Sequence, residues 1–239
     1  MRTRLDQMLV KKGLVATRSQ AESFIKLGKV QVGPEIITKP SHMVTDDEKL
    51  ALLVTEQYVS RAGLKLASVA NKLSVDFKDS IVLDVGSSTG GFTDYAIRHG
   101  AKKVIAVDVG TNQLHPSLRQ NPNIELHEQT DIRDVKVLSG EVNIVVIDVS
   151  FISLREILPA VSRLINKQTK VLAMVKPQFE AIQSNLKHKG VIKNDTIRRN
   201  ILKDFENWIQ KLFTVIDKSD SEVSGAKGNQ ERFYLLKKL

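Results

Sequence analysis

The chain has 239 residues, a formal net charge of +9 and no cysteine. That length allows one large domain and a small one, and the missing cysteines exclude thiol nucleophiles, disulfides and cysteine-ligated zinc. The basic balance favours a polyanionic partner, nucleic acid first. No apolar run approaches the ~18–20 residues of a membrane span, and the N-terminus lacks a signal-peptide pattern. We therefore expect a cytoplasmic protein with no stable membrane partner.

The first 40 residues predict a small basic module of two helices and a hairpin. They carry eight lysines and arginines against three acids. One amphipathic helix is expected to end near Gly13, and Thr17 with Gln20 forms a capping box for a second helix. "KVQV", a turn at "GPE" and "IITKP" predict the hairpin. The candidate phosphate contacts are Arg4, Arg18, Lys26 and Lys29, with a merely solvated surface as the alternative.

The order of residues in this module resembles a known RNA-binding domain. "RLDQMLVKKGLVATRSQAESFIKLGKVQVGPEIITKP" is similar to the αL domain shared by a small-subunit ribosomal protein, many pseudouridine synthases and some RNA methyltransferases. Only the usual Asn-Gly of the hairpin turn is replaced, by Gly33-Pro34. The resemblance implies that residues 1–58 grip structured RNA and do no chemistry, which leaves 59–239 as a second domain.

From Ser60 onward, apolar strand-like runs alternate with amphipathic helical segments. This alternation predicts an α/β fold, a parallel Rossmann-like sheet with helices on both faces. The last segment, "ERFYLLKKL", is expected to close the sheet as an antiparallel strand. Ligands of such sheets bind at the carboxyl ends of the strands.

The glycine-rich stretch "DVGSSTGGF" follows the first strand of this sheet. It lacks the Gly-Lys-Ser/Thr of a P-loop, and its glycine spacing is not GxGxxG. Asp108 ends the next strand, where an acid accepts hydrogen bonds from ribose hydroxyls, and Asp131 follows the third strand near an expected adenine amine. Loop and acids together favour S-adenosylmethionine over a dinucleotide or a purely structural turn. The predicted cofactor residues are Gly86, Ser87, Ser88, Thr89, Gly90, Gly91, Phe92, Asp108 and Asp131.

The methyl acceptor is narrowed by what the sequence lacks. The fourth strand ends in "VIDVSF" and carries no Asn/Asp-Pro-Pro-aromatic motif, which disfavours amino groups. Methylation at C5 of a pyrimidine normally uses a cysteine. Oxygen remains, most simply a ribose 2′-hydroxyl, whose displacement reaction requires alignment and a group to receive a proton but no metal. The candidate catalytic residues are Lys65, Asp148, Lys176 and Glu231.

These residues also carry a resemblance over the entire chain. "YVSRAGLKL", "LDVGSSTGGFTDYAIRHGA", "DVSFISL", "MVKPQFE" and "GNQERFYLL" are similar to the TlyA family, within the wider FtsJ-type ribose methyltransferases. The family's Lys-Asp-Lys-Glu tetrad carries over onto the four candidates. The resemblance implies 2′-O-methylation of cytidine in ribosomal RNA, with the large ribosomal subunit favoured as partner because the chain is short.

Several further hypotheses remain open in the sequence. "KHKG" (187–190) and Arg198-Arg199 are candidate phosphate contacts, or solvated charge. Phe151 and Phe179 could stack on a flipped base, or pack locally. The rival functions are a non-catalytic rRNA-binding or assembly factor, methylation of another RNA such as tRNA, and a membrane-active haemolysin.

Overall fold

The computed structural model describes residues 2–54, 57–181, 190–225 and 228–239. The chain divides into two compact units, Met1–Arg61 and Ala62–Leu239. Within the described residues, no helix is both long and apolar enough to cross a membrane.

The first unit packs two short helices against short strands. Its capping box at Thr17 and Gln20 forms as predicted, and its core contains Leu5, Met8, Leu9 and Phe24. Two-residue and three-residue strands that the pattern did not reveal complete it. The elements are β1 (Thr3–Arg4), α1 (Leu5–Lys11), α2 (Arg18–Lys26), β2 (Val30–Val32), β3 (Glu35–Ile36), β4 (Met43–Val44) and β5 (Leu50–Leu52). Strands β3, β2 and β5 form one antiparallel sheet, and β1 pairs with β4.

The second unit alternates strands and helices as the sequence predicts. Its elements are α3 (Arg61–Ala70), β6 (Ile81–Val85), α4 (Gly91–Arg98), β7 (Lys103–Val107), α5 (Pro116–Arg119), β8 (Ile124–His127), β9 (Ile144–Ile147), α6 (Leu154–Leu164), β10 (Lys170–Val175), α7 (Pro177–Glu180), α8 (Asp195–Ile209), β11 (Phe213–Asp220) and β12 (Arg232–Lys238). The sequence also predicts that Ser60, directly before α3, caps this helix; this prediction is wrong, because the Ser60 hydroxyl makes no hydrogen bond to the described part of the chain.

Seven strands form one sheet in the order β11-β12-β10-β9-β6-β7-β8. Strands β6 to β10 run parallel, and β12 is antiparallel to both of its neighbours. The predicted α/β class and the antiparallel closing strand are therefore confirmed. The carboxyl ends of β9 and β10 lie at the same edge of the sheet as the first residue of β12. The residues that follow β9 and β10 therefore meet the residues that precede β12 at this edge.

Candidate active site

The turn after β6 brings the backbone unusually close to the end of β9. Gly86 has a φ of +81°, and a Cβ there would lie 2.7 Å from the carbonyl oxygen of Asp148. Gly90, with a φ of +90°, would carry a Cβ 2.5 Å from the Leu118 side chain. Any side chain at these positions would strain the backbone and collide with a neighbour. Gly86 lines a cleft of about 480 Å³ above the sheet edge.

A fully buried carboxyl group, Asp84, lies at the end of β6 under this turn. Its Oδ2 accepts a hydrogen bond from the Thr93 hydroxyl at 2.6 Å, but Oδ1 has no hydrogen-bond partner among the described residues. Burial raises the pKa of Asp84 to about 7; the Thr93 hydrogen bond opposes this increase, and the charge of Asp148 adds to it. The buried hydroxyl of Ser87 also lacks a partner there. Unsatisfied acceptors under a glycine turn fit a ligand that brings a cation.

Asp108 lines the cleft and is held by two backbone amides. Its Oδ2 accepts from the Ser88 N–H at 2.8 Å, and its Oδ1 accepts from the Gly110 N–H at 2.7 Å. These bonds fix the carboxylate while leaving lone pairs for further donors. Its predicted role of accepting from ribose hydroxyl groups stays a prediction.

Asp131 also lines the cleft, but its carboxylate is already paired with an arginine side chain. Arg133 donates to both carboxylate oxygens, with its Nη2 2.6 Å from Oδ2. The hydrogen bond from Arg133 lowers the pKa of Asp131, and burial only partly opposes it. Sequence reasoning missed Arg133, which lines the cleft itself. An adenine amine at Asp131 would share this carboxylate with the guanidinium.

The remaining predicted cofactor residues contribute less directly. Ser88 and Gly86 line the cleft. Thr89 is exposed beside it and Gly91 begins α4. Phe92 is buried, with its ring centroid 6.0 Å from that of Phe233. Phe92 is therefore a core residue and does not line the cleft, as is common for an aromatic side chain at the start of a helix.

The four predicted catalytic residues form two ion pairs. Lys176 follows β10 and Asp148 follows β9, and the Lys176 Nζ lies 2.6 Å from Asp148 Oδ1. Lys65 on α3 pairs with Glu231, just before β12, at 2.5 Å. All four side chains are at most 15% exposed. Gly225 lies so close that a Cβ there would be 2.8 Å from the Glu231 carboxylate. Two partly dehydrated ammonium–carboxylate pairs can orient a hydroxyl group and move a proton.

A buried glutamate that the sequence reasoning missed connects the loops after β9 and β10. Glu180, on α7, accepts from the hydroxyl of Ser153 at 2.6 Å and from the N–H of Leu154 at 2.7 Å. It thereby caps the N-terminus of α6 from a neighbouring loop. Burial raises the pKa of Glu180 despite these bonds. These contacts hold the loop after β9, which carries Asp148, against the segment after β10, which carries Lys176. Its motif, "MVKPQFE", was visible in the sequence, but this cross-loop contact was not.

An aromatic side chain stands at the mouth of the cleft. Phe151 is 91% exposed and has a φ of +66°, a conformation that costs an aromatic residue on the order of 1–3 kcal/mol. Its ring lies 5.4 Å from that of Phe179. An exposed ring held in a strained backbone is more typical of a binding surface than of local packing.

The predicted phosphate contacts of the first unit are of two kinds. Arg4 and Arg18 both bind the buried carboxylate of Asp6, at 2.9 and 2.8 Å. Burial alone would raise the pKa of Asp6, but the two guanidinium groups outweigh it and the pKa is lowered. Lys26 and Lys29 are exposed. Asp6 therefore holds two half-exposed arginines in fixed positions.

The other predicted basic contacts divide similarly. Arg198 is 8% exposed and its Nη2 lies 2.6 Å from Asp220, so it is a structural residue. Arg199 is exposed. Residues 187–189 of "KHKG" lie outside the described residues.

A doubly wound sheet, a glycine turn after its first strand and an ion-paired edge define a methyltransferase of the Rossmann-like class. Two family comparisons divide the chain accordingly. Residues 58–238 match the FtsJ-like methyltransferases, and residues 3–50 match the S4 domain. The chain belongs to the FtsJ-like methyltransferase family.

Individual relatives cover most of the chain. The 16S/23S rRNA (cytidine-2′-O)-methyltransferase TlyA of Mycobacterium tuberculosis is 33% identical, with 99% of this chain and 90% of that protein covered. The 23S rRNA (cytidine-2′-O)-methyltransferase TlyA of Campylobacter jejuni is 42% identical, with 80% and 75% covered. A solved structure from Streptococcus thermophilus, provisionally named a hemolysin, is 37% identical with a TM-score of 0.73, covering 99% of this chain and 88% of that one.

Proposed function

We propose that this protein transfers a methyl group from S-adenosylmethionine to a ribose 2′-hydroxyl of ribosomal RNA, at a cytidine and preferably in the large subunit. The observation that carries the proposal is the double ion pair Lys65–Glu231 and Lys176–Asp148 at the sheet edge, beside the glycine cleft. The names of the relatives supply the substrate: two of them act on cytidine 2′-oxygens of rRNA. The 42% identical relative is named for 23S rRNA alone, which supports the preference for the large subunit.

The cleft suits the proposed cofactor in charge and shape. S-adenosylmethionine supplies, when bound, a methyl group activated by a sulfonium. Asp84 and Ser87 offer unsatisfied buried acceptors for its ammonium group, Asp108 offers lone pairs for its ribose, and Asp131 with Arg133 borders the space for its adenine. These assignments extend the predicted cofactor residues by Asp84 and Arg133.

The four charged residues would act on the RNA hydroxyl. Lys176 orients the 2′-oxygen and stabilises the negative charge that develops on it. As the oxygen attacks, the oxygen–carbon bond forms, the carbon–sulfur bond breaks with its electrons left on sulfur, and the hydroxyl proton departs. Asp148, held against Lys176, is the carboxylate that takes up this proton. Lys65 and Glu231 complete the polar network and keep its charges balanced.

The RNA would be held by both units. Arg4, Arg18, Lys26 and Lys29 provide phosphate contacts in the S4 domain, where such contacts set register rather than sequence. The exposed ring of Phe151, backed by Phe179, offers a stacking surface for a base displaced from its helix.

Transfer of labelled methyl groups tests this function. Purified protein is incubated with labelled S-adenosylmethionine and, separately, with small subunits, large subunits and bulk tRNA. Lys176→Met removes the catalytic ammonium. Lys170→Met is the matched control, since Lys170 is the first residue of β10 and lies at the end of that strand opposite to Lys176. We expect label in large subunits, protecting one ribose bond from alkaline cleavage, and a loss of about 10²–10⁴-fold with Lys176→Met only.

Three outcomes would contradict the proposal in different ways. Label only in tRNA would overturn the substrate. Equal rates for Lys176→Met and wild type would overturn the catalytic assignment. No label in any pool, with cofactor and rRNA both bound, would favour a non-catalytic assembly factor.

A further inference from the structure

The ammonium group of Lys176 has a second partner that the family tetrad does not include. Its Nζ donates to the Ser150 hydroxyl at 2.6 Å, the same distance that separates it from Asp148 Oδ1. Both partners lie on the loop after β9. Within the described ranges, these two groups are the polar contacts of this ammonium.

The number of donors gives Ser150 a specific effect. An ammonium carries three N–H groups, and on a flexible side chain they rotate freely unless acceptors fix them. One acceptor leaves rotation about the N–H···O axis; two acceptors fix the rotation and hence the direction of the third N–H. Ser150 takes one donor as a hydrogen bond, and the Asp148 carboxylate attracts the same ammonium as an ion partner, so together they restrict its rotation and the direction of the remaining N–H groups.

Ser150 is placed to do this at the reacting surface rather than in the core. The residue is exposed and lines the cleft, together with Asp148 and Phe151. A hydroxyl that accepts from a cation keeps its own proton free to donate outward. The Lys176 side chain is only 9% exposed, so little water competes for its donors.

We propose that Ser150 is a positioning residue for methyl transfer, which aims the free N–H of Lys176 at the ribose oxygen. The identity of the substrate in this inference rests on the proposed function, but the orientation of the Lys176 ammonium by Ser150 does not. Ser150 contributes a hydrogen-bond acceptor and not shape alone, so threonine can replace it and alanine cannot.

The test compares Ser150→Ala and Ser150→Thr under single-turnover conditions. Ser139→Ala is the matched control, because the Ser139 hydroxyl also accepts from a lysine, Lys103, at 3.1 Å outside the cleft. We expect Ser150→Ala to slow methyl transfer by about 10- to 100-fold with unchanged dissociation constants for S-adenosylhomocysteine and rRNA. Ser150→Thr should recover most of the rate, and Ser139→Ala should lose none. An alanine variant with the wild-type rate, or one impaired only in binding, would overturn the inference.

A second readout does not depend on methyl transfer. Mass spectrometry follows the acylation rate of each lysine by a limiting amine reagent. Ser150→Ala should speed the labelling of Lys176 several-fold, about the effect of one lost hydrogen bond, and leave Lys170 unchanged. Unchanged labelling of Lys176 would overturn the positioning role. Altered labelling in a protein whose wild type methylates no RNA would instead overturn the proposed function and keep the contact.

Discussion

Two aspartates with no exposed surface, one in each unit, behave in opposite ways. Asp6 in the S4 domain is surrounded by the guanidinium groups of Arg4 and Arg18, and its pKa is lowered. Asp84 in the methyltransferase unit has the Thr93 hydroxyl as its hydrogen-bond donor and an unsatisfied Oδ1, and its pKa rises to about 7. Neither carboxylate is exposed, but Asp84 lies deeper in the protein and has no cation beside it among the described residues, whereas Asp6 has two. Asp6 organises cations that the protein already has, whereas Asp84 is suited to a cation that a ligand brings.

The largest expected effect comes from replacing the carboxylate that lacks a cation. If Asp84 must be ionised to bind the ammonium of the cofactor, protons compete with the ligand. The dissociation constant of S-adenosylhomocysteine should then rise about tenfold per pH unit below pH 7 and level off above it. Asp84→Asn should weaken binding about 10- to 100-fold at pH 8 and abolish this pH dependence. Calorimetric titration between pH 5.5 and 8.5 measures both.

The same substitution should have the opposite effect on the protein without ligand. Because the folded state holds the Asp84 proton more tightly than the unfolded state, its contribution to the free energy of unfolding falls as pH rises from about 4 to 7. Relative to Asp84→Asn, wild type should therefore lose up to roughly 4 kcal/mol across this window. Asp79→Asn, an exposed aspartate just before the same strand, is the control. A constant difference between wild type and Asp84→Asn would show that Asp84 is ionised throughout.

A smaller effect on binding and stability is expected at Asp6, which is already paired with two arginines. Asp6→Asn removes the charge that fixes Arg4 and Arg18, and we expect about tenfold weaker rRNA binding and a loss of about 1–2 kcal/mol in unfolding free energy. This stabilisation is present above the unfolded pKa of Asp6 and disappears as pH falls through its lowered folded value. Filter binding at several salt concentrations and denaturant melts measure these changes, with the exposed Glu35→Gln as control. Stronger rRNA binding by Asp6→Asn would mean that free arginines bind better than fixed ones.

The smallest change in stability is expected at Phe151. Glycine accepts the φ of +66° without strain but costs more entropy on folding, so Phe151→Gly should shift the unfolding free energy by less than about 1 kcal/mol. Methyl transfer to rRNA should nevertheless fall about tenfold or more, since one base–aromatic stack is worth about 1–3 kcal/mol. Val137→Ala, at a site 83% exposed, is the control. Full activity in Phe151→Gly would leave the ring without a role in binding the base.

The sequence was sufficient for the fold because its signals were long-range patterns. Apolar runs, helix caps and glycine turns placed the strands of the large sheet, and the ends of those strands placed Asp148 and Lys176 at one edge. Strands β1, β4 and β5 were missed because two or three residues carry no periodicity, and only pairing makes them strands.

The partners of the site residues were beyond sequence reasoning for a different reason. Which carboxylate Lys65 meets, or that Arg133 covers Asp131, depends on side-chain rotamers and on packing between distant segments. Arg198 is a further example: its charge suggested a phosphate contact, but the fold buries it against Asp220. Charge and spacing indicate the chemistry that is available, and only the packed structure shows which groups neutralise one another.

The placement of β12 has a consequence for how the site comes into existence. This strand follows β10 and β11 in the chain but lies between them in the sheet, so β11 joins the sheet through β12. The simplest route is for β11 and β12 to form a hairpin first and dock onto β10 together, because a local pairing closes a shorter loop than a distant one. Glu231 precedes β12, so a partly folded chain without this hairpin has a sheet and a cofactor cleft but no partner for Lys65. Completion of the catalytic site then depends on the docking of this hairpin.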